Sequence, residues 1–113
     1  MNMSGMFYGC STLKELNLNK FNTNKVINMN CMFHLCSSLK KLNLDNFNTK
    51  NVNNMYSMFS GCSSLKKLNI NNFNTNHSTD MYRMFYDCSN ELIMKIKSQY
   101  KNIKEIAFQN IEY

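Results

Sequence analysis

Four cysteines, Cys10, Cys36, Cys62 and Cys88, recur at intervals of 26 residues, and a fifth, Cys31, stands outside that series. A thiol at fixed spacing can form disulfides, ligate a metal or act as a nucleophile. If successive units lie side by side, the repeated thiols stack about 4.8 Å apart. Parallel Cβ vectors at that spacing suit the disulfide dihedral poorly. The expectation is a ladder of reduced, buried thiols acting as small hydrophobes, with Cys31 the most reactive. Zinc needs four converging ligands. Cys31, His34 and Cys36 are close in sequence, but Cys36 shares the core slot of the series while Cys31 and His34 belong to a predicted helix. His34 and His77 are the only histidines, and neither has a Cys and an acid at matching repeat positions, so no nucleophilic triad is assembled. Three glycines supply no phosphate-cradling loop. No metal, cofactor or enzymatic activity is expected.

The elements that position these residues repeat with them. Met29, Met32, Phe33, Cys36, Leu39, Leu42, Leu44, Phe47 and Val52 match Met3, Met6, Phe7, Cys10, Leu13, Leu16, Leu18, Phe21 and Val26, 26 residues earlier. Going forward they match Met55, Met58, Phe59, Cys62, Leu65, Leu68, Ile70 and Phe73. A period of this size indicates a solenoid, propeller or array. In Met-x-x-Met-Phe-x-x-Cys the apolar residues fall at i, i+3, i+4 and i+7, one face of a helix. Asn2, Asn28, Asn54 and Asp80 are placed as N-caps, and Gly9, Leu35, Gly61 and Asp87 as C-caps. The following Leu-x-Leu alternation reads as a strand, with leucines inward and asparagines outward. Strand returning to strand through a helix gives a parallel sheet, with strands over 15–19, 41–45 and 67–71.

These residues resemble the leucine-rich repeat, with its LxxLxLxxN strand motif. More closely, the MxxMFxxCSSLKxLNLxxFNTxxVxxM cadence resembles the 26-residue repeats of BspA-like surface proteins, over 3–88. The resemblance implies a surface-exposed or secreted protein used in adhesion or host contact, binding a protein or other surface macromolecule. Phe21, Phe47 and Phe73 occupy the slot of the ladder asparagine, whose hydrogen bonding is expected to pass to Asn22, Asn48 and Asn74.

The expected fold is therefore an α/β leucine-rich repeat solenoid, with a short parallel sheet on the concave face and short helices on the convex face. It forms one domain over 1–113, with repeats 3–28, 29–54 and 55–80 and an irregular last repeat and cap over 81–113. In the tail, Leu92, Ile93, Ile96 and Tyr100 trace a helical face over 90–102. Ile103, Ile106, Phe108 and Ile111 repeat the strand spacing, giving a fourth strand over 105–109. Ser78, beside His77, replaces the inward valine of the other units and marks a weak junction. The first unit has nothing before it to cover Met6, Phe7, Leu16 and Leu18, so self-association through that edge is expected.

Binding is sought on the outward strand positions. They form columns of Glu15, Lys41 and Lys67; of Asn17, Asn43 and Asn69; and of Asn19, Asp45 and Asn71. The continuations of these columns are Glu105, Ala107 and Gln109. Lys14, Lys40, Lys66 and Lys104 make a further column. The net charge of +6 and pI near 9.1 admit an anionic partner. The single arginine, absent proline and abundance of Asn and Lys also fit an AT-rich coding sequence. With almost no aromatic side chain on these columns, base stacking and nucleic-acid binding lose support. No stretch reaches the roughly 18 apolar residues that span a bilayer, and no signal peptide precedes Cys10. The leading functional reading is non-enzymatic macromolecular interaction. The alternatives are a structural spacer cut from a longer repeat array, and anion or nucleic-acid binding through the lysine column.

Overall fold

The Met-x-x-Met-Phe-x-x-Cys segments are not helices. In the computed structural model, which describes residues 1–74 and 79–108, each segment is a pair of consecutive four-residue turns. Met6 N–H donates to Met3 O (3.3 Å) and Cys10 N–H to Phe7 O (3.2 Å), and the same bonds close Met29–Met32, Phe33–Cys36, Met55–Met58, Phe59–Cys62, Met81–Met84 and Phe85–Cys88. The third residue of every turn is left-handed: Gly5 and Gly9, Cys31 and Leu35, Ser57 and Gly61, Arg83 and Asp87. Type II turns require that conformation at that place, and an α-helix forbids it. Two abutting turns put their first and last residues at i, i+3, i+4 and i+7, the apolar spacing of a helical face. Asn2, Asn28, Asn54 and Asp80 accordingly cap no helix. Each Oδ1 accepts the N–H two residues on, at 2.7 to 3.0 Å, from Ser4, Asn30, Tyr56 and Tyr82. The same four residues pair in succession as isolated parallel bridges.

N–H groups freed by the left-handed residues donate to the next unit. Gly5, Phe7 and Gly9 reach Asn30 O, Met32 O and His34 O; Cys31, Phe33 and Leu35 reach Tyr56 O, Met58 O and Ser60 O; Ser57, Phe59 and Gly61 reach Tyr82 O, Met84 O and Tyr86 O. Met32, Phe33, Met58, Phe59, Met84 and Phe85 are fully buried between these rows. The rings of Phe7, Phe33, Phe59, Phe85 and Phe108 stack at centroid separations of 5.4 to 5.6 Å. Such ring pairs add about 0.5–1.5 kcal/mol each beyond area burial.

The leucine segments pair less completely. Two strands form, β1 (Lys41–Asn43) and β2 (Lys67–Asn69), parallel and in register Lys41 to Lys67, Leu42 to Leu68 and Asn43 to Asn69. The strand expected over 15–19 is absent. The backbone bond beside it, from Lys40 N–H to Lys14 O, is long (3.4 Å), and Leu16 stays half-buried where Leu42 and Leu68 are buried. Leu18, Leu44 and Ile70 point into the core as expected.

Beyond Cys88 comes the one α-helix among the described residues, α1 (Asn90–Gln99). Ser89 Oγ caps it by accepting the Leu92 N–H at 3.2 Å, and Leu92 and Ile96 are its buried face. The strand expected over 105–109 is instead a 3-10 turn, Glu105–Phe108, with Gln109 and Ile111 outside the described residues. Phe85 N–H donates to Ala107 O (2.9 Å) and Phe108 stacks on Phe85. Ala107 and Phe108 thus fill the Met-Phe slot of a unit, and this stacking overrides the leucine-like spacing of Ile103, Ile106 and Phe108. Ser78, the expected weak junction, and His77 beside it lie outside the described residues.

These findings correct the expectation of a leucine-rich repeat solenoid with a concave sheet and convex helices. The body measures 31 × 31 × 26 Å, and its described residues hold one two-stranded parallel sheet, one α-helix and tandem turns where helices were expected.

Candidate functional site

A groove of about 730 Å³ runs across the outer side of β1 and β2, with α1 as its far wall. Its position follows from the sheet. Lys41, Asn43, Lys67 and Asn69 alternate outward from the buried Leu42 and Leu68, and Glu15 and Asn17 continue the rows into the first unit. The helix is held in place by three hydrogen bonds. Lys95 Nζ donates to Lys66 O (3.3 Å), Ile70 N–H donates to Tyr100 Oη (3.4 Å), and Tyr100 Oη–H donates to Asn71 Oδ1 (2.8 Å). Leu16, Leu42, Leu68, Leu92 and Ile96 border it, Leu16 half-buried and the other four buried.

The asparagines of the lining are oriented by their own backbone. Asn17, Asn43 and Asn69 each turn Oδ1 to accept the N–H two residues on, from Asn19 (3.0 Å), Asp45 (2.8 Å) and Asn71 (3.0 Å). With the oxygen engaged, the NH2 end of each amide is the polar group left for a ligand. The charged lining is four lysines, Lys41, Lys66, Lys67 and Lys95, against one carboxylate, Glu15. Glu15 approaches Lys41 at 3.8 Å, and Lys95 has Glu91 at 3.3 Å. Lys67 has no carboxylate partner among the described residues. The site is therefore rich in donors and poor in acceptors, a lining that suits carboxylate, sulfate, phosphate or peptide-carbonyl oxygens.

Of the nine outward positions expected to bind, Glu15, Asn17, Lys41, Asn43, Lys67 and Asn69 lie in the groove. Asn19, Asp45 and Asn71 do not line it. Asn19 O and Asp45 O accept from Asn46 Nδ2 and Asn72 Nδ2, and Asn71 Oδ1 accepts from Tyr100. Asn46 and Asn72 thus share the role expected of Asn22, Asn48 and Asn74: Asn22 and Asn48 Oδ1 accept the N–H groups of Asn24 and Lys50, Asn48 Nδ2 reaches Asn24 Oδ1 (3.3 Å), and Asn48 and Asn74 N–H donate to Thr23 and Thr49 Oγ1. Asn46 Nδ2 also reaches Leu18 O and Phe21 O at 3.1 and 3.2 Å. The lysine column breaks at its end: Lys104 donates to Thr79 O (2.8 Å) and is not the next step after Lys66. Lys95 and Gln99 were missed because they come from the helix outside the period. Their i, i+4 offset on the face carrying Leu92 and Ile96 was the available signal.

The cysteines are free thiols. Cys36 Sγ, Cys62 Sγ and Cys88 Sγ donate to Phe7 O, Phe33 O and Phe59 O at 3.1 to 3.2 Å. Burial pushes the Cys36 thiol up to about 11 and the Cys88 thiol up to about 12, raises Cys62 strongly, and raises Cys31. Thiols so shifted are poor nucleophiles at neutral pH. His34 Nδ1 lies 3.0 Å from Ser60 O, and its ring meets Tyr8 edge-on at 4.9 Å. Among the described residues no three His, Cys, Asp or Glu side chains are grouped to hold a metal ion. No described helix is long and apolar enough to cross a membrane.

Neither the curated proteins nor the solved structures contain a match to this chain. A family model does match, over residues 1–111, and the chain belongs to the family it describes, "Mycoplasma protein of unknown function, DUF285".

Proposed function

We propose that this chain is a non-enzymatic interaction module that receives a segment of another macromolecule in the groove between β1, β2 and α1. One observation carries the reading. The groove gathers lysine ammonium groups and amide NH2 groups beside the half-buried Leu16, against a wall fixed by Lys95 and Tyr100. Donors of one kind on a rigid frame orient an acceptor-bearing partner at little ordering cost. The raised thiols and scattered histidines supply no activated nucleophile beside it. Through the resemblance of its repeats to BspA-like surface proteins, the reading extends to contact at a cell surface, in adhesion or host contact. Protease treatment of intact cells tests that extension, and survival of the protein would remove it.

The groove itself is tested by recording backbone amide resonances while adding anionic and neutral polymers. An anionic polymer is expected to shift Lys41, Asn43, Lys67 and Asn69 and leave Tyr8 and Gly9, on the turn side, in place. Groove resonances silent to every polymer would end the proposal.

A further inference from the structure

We infer that the groove takes an extended peptide segment in which carboxylate side chains alternate with aliphatic ones. This rests on the groove reading above and adds the class of partner. Charge comes first. Lys66 and Lys67, consecutive in the chain, both line the groove, and Lys67 is in register with Lys41 across the parallel pair. In-register side chains of adjacent strands are about 4.8 Å apart, and like charges so placed repel. Glu15 and Glu91 offset Lys41 and Lys95, while Lys67 has no such partner among the described residues. A carboxylate from outside completes the pattern.

The asparagines narrow the class further. Because Asn19, Asp45 and Asn71 N–H groups hold the Oδ1 atoms of Asn17, Asn43 and Asn69, three NH2 groups step across the groove at the strand spacing. Peptide carbonyls are acceptors that such a row can meet. Three rows span roughly 10 Å, the length of about three extended residues. The floor selects against purely polar polyanions. Leu16 is half-buried and Leu68 is 9 % exposed, while Leu42, Leu92 and Ile96 are buried beneath them, and a sulfated glycan lying over Leu16 leaves that apolar surface without a partner. Nucleic acid needs rings to stack on, and among the described residues no aromatic side chain lines the groove. By the period-two alternation of an extended chain, an acidic and aliphatic peptide lying between sheet and helix sets its carboxylates toward Lys41 and Lys67 and its aliphatic groups toward the α1 wall, against the methylene stems of Lys95 and Gln99.

The test is fluorescence anisotropy with a labelled hexapeptide of alternating glutamate and leucine. The comparison probes are a glutamine–leucine hexapeptide, an all-glutamate hexapeptide, a heparin-derived oligosaccharide and a single-stranded oligonucleotide. The glutamate–leucine peptide is expected to bind at least tenfold tighter than each of the others, with affinity falling as salt rises. Lys67→Glu is expected to weaken it at least tenfold, and Lys50→Glu, away from the groove, to leave it unchanged. Circular dichroism of both variants checks that the exposed substitutions leave the fold intact. Equal binding of the glutamine–leucine peptide overturns the carboxylate assignment. Tighter binding of the oligosaccharide or oligonucleotide overturns the peptide class while the groove reading stands. If no polymer binds and the groove resonances are also silent, both fall.

Discussion

The two halves of each repeat hold the molecule together to different degrees. The turn half is joined at every step, from Phe7 through Phe33, Phe59 and Phe85 to Phe108, by stacked rings and by N–H groups reaching the next row. The leucine half forms a ladder once, between β1 and β2. The sequence repeats both halves with equal regularity, so regularity of sequence does not measure strength of coupling. A left-handed residue every fourth position frees backbone donors for the neighbouring unit, and a short strand with half-buried Leu16 beside it gains less.

The largest test of this contrast is Phe59→Ala. Its ring lies fully buried between those of Phe33 and Phe85, and the substitution is expected to cost about 3–5 kcal/mol by denaturant unfolding. Leu68→Ala, in the leucine half, is expected to cost less. The reverse order would break the comparison.

A second test separates two glycines in one slot. Gly61 and Gly9 are both left-handed, so an added Cβ costs about 1–2 kcal/mol at either. At Gly61 that Cβ would also lie 2.6 Å from Leu35 Cδ2, while at Gly9 nothing lies within 4 Å. Leu35 is 43 % exposed and can swing its side chain aside, so Gly61→Ala is expected to lose more than Gly9→Ala by under about 1 kcal/mol. Equal losses would mean that units pack with slack that Leu35 can take up.

The thiols sharpen the comparison through pH. Cys36 and Cys88 are raised from 9.0 to about 11 and about 12 by burial. A neutral thiol is favoured in the folded state, so their contribution is fully present below pH 9. It is lost as pH rises through 9 toward 11 to 12, because the unfolded chain ionises first. Wild-type protein should lose stability over that window more steeply than Cys88→Ala; identical slopes would place the Cys88 thiol in water. The smallest expected effect is Lys41→Ala on β1. Its ion pair with Glu15 is exposed on both sides, and the cost should stay under about 0.5 kcal/mol. A larger loss would show that the leucine half relies on its outward face.

Which slots are buried was legible in the sequence, because a repeated environment demands a repeated residue type: Met32 and Met58, Phe33 and Phe59, Cys36 and Cys62, Val26 and Val52 are all enclosed. The conformation linking those slots was not legible. Apolar spacing of i, i+3, i+4 and i+7 belongs equally to one helix and to two abutting turns; the repeat placed left-handed caps at Gly9, Leu35, Gly61 and Asp87, where positive φ is found, but Cys31, Ser57 and Arg83 in the first turn of each pair carry side chains that give no warning of it. Glycine at 5, 9 and 61 was the trace of it. The outward strand positions located most of the groove, since alternation fixes which side Lys41, Asn43, Lys67 and Asn69 face. The wall made by Lys95 and Gln99 depends on how α1 docks, a tertiary contact that lies outside the period. Tail residues Ala107 and Phe108 were aligned to the wrong half of the unit because spacing alone cannot distinguish a leucine slot from a phenylalanine slot.

Direction is the last property of the turn half. Backbone donation within the turns runs one way, from each unit to the next: Gly5 to Asn30, Cys31 to Tyr56, Ser57 to Tyr82, Arg83 to Ile106. Across β1 and β2 it runs both ways, Leu44 N–H to Asn69 O and Lys66 N–H to Lys40 O. Peptide dipoles in the turn wall therefore add, as they do along a helix, whereas those in the sheet largely cancel. One side of the body behaves as a small electret, with its electronegative pole toward the first unit and its electropositive pole toward α1. In an external field, or beside a charged surface, such a body has a preferred orientation independent of its lysines, and added salt screens that preference.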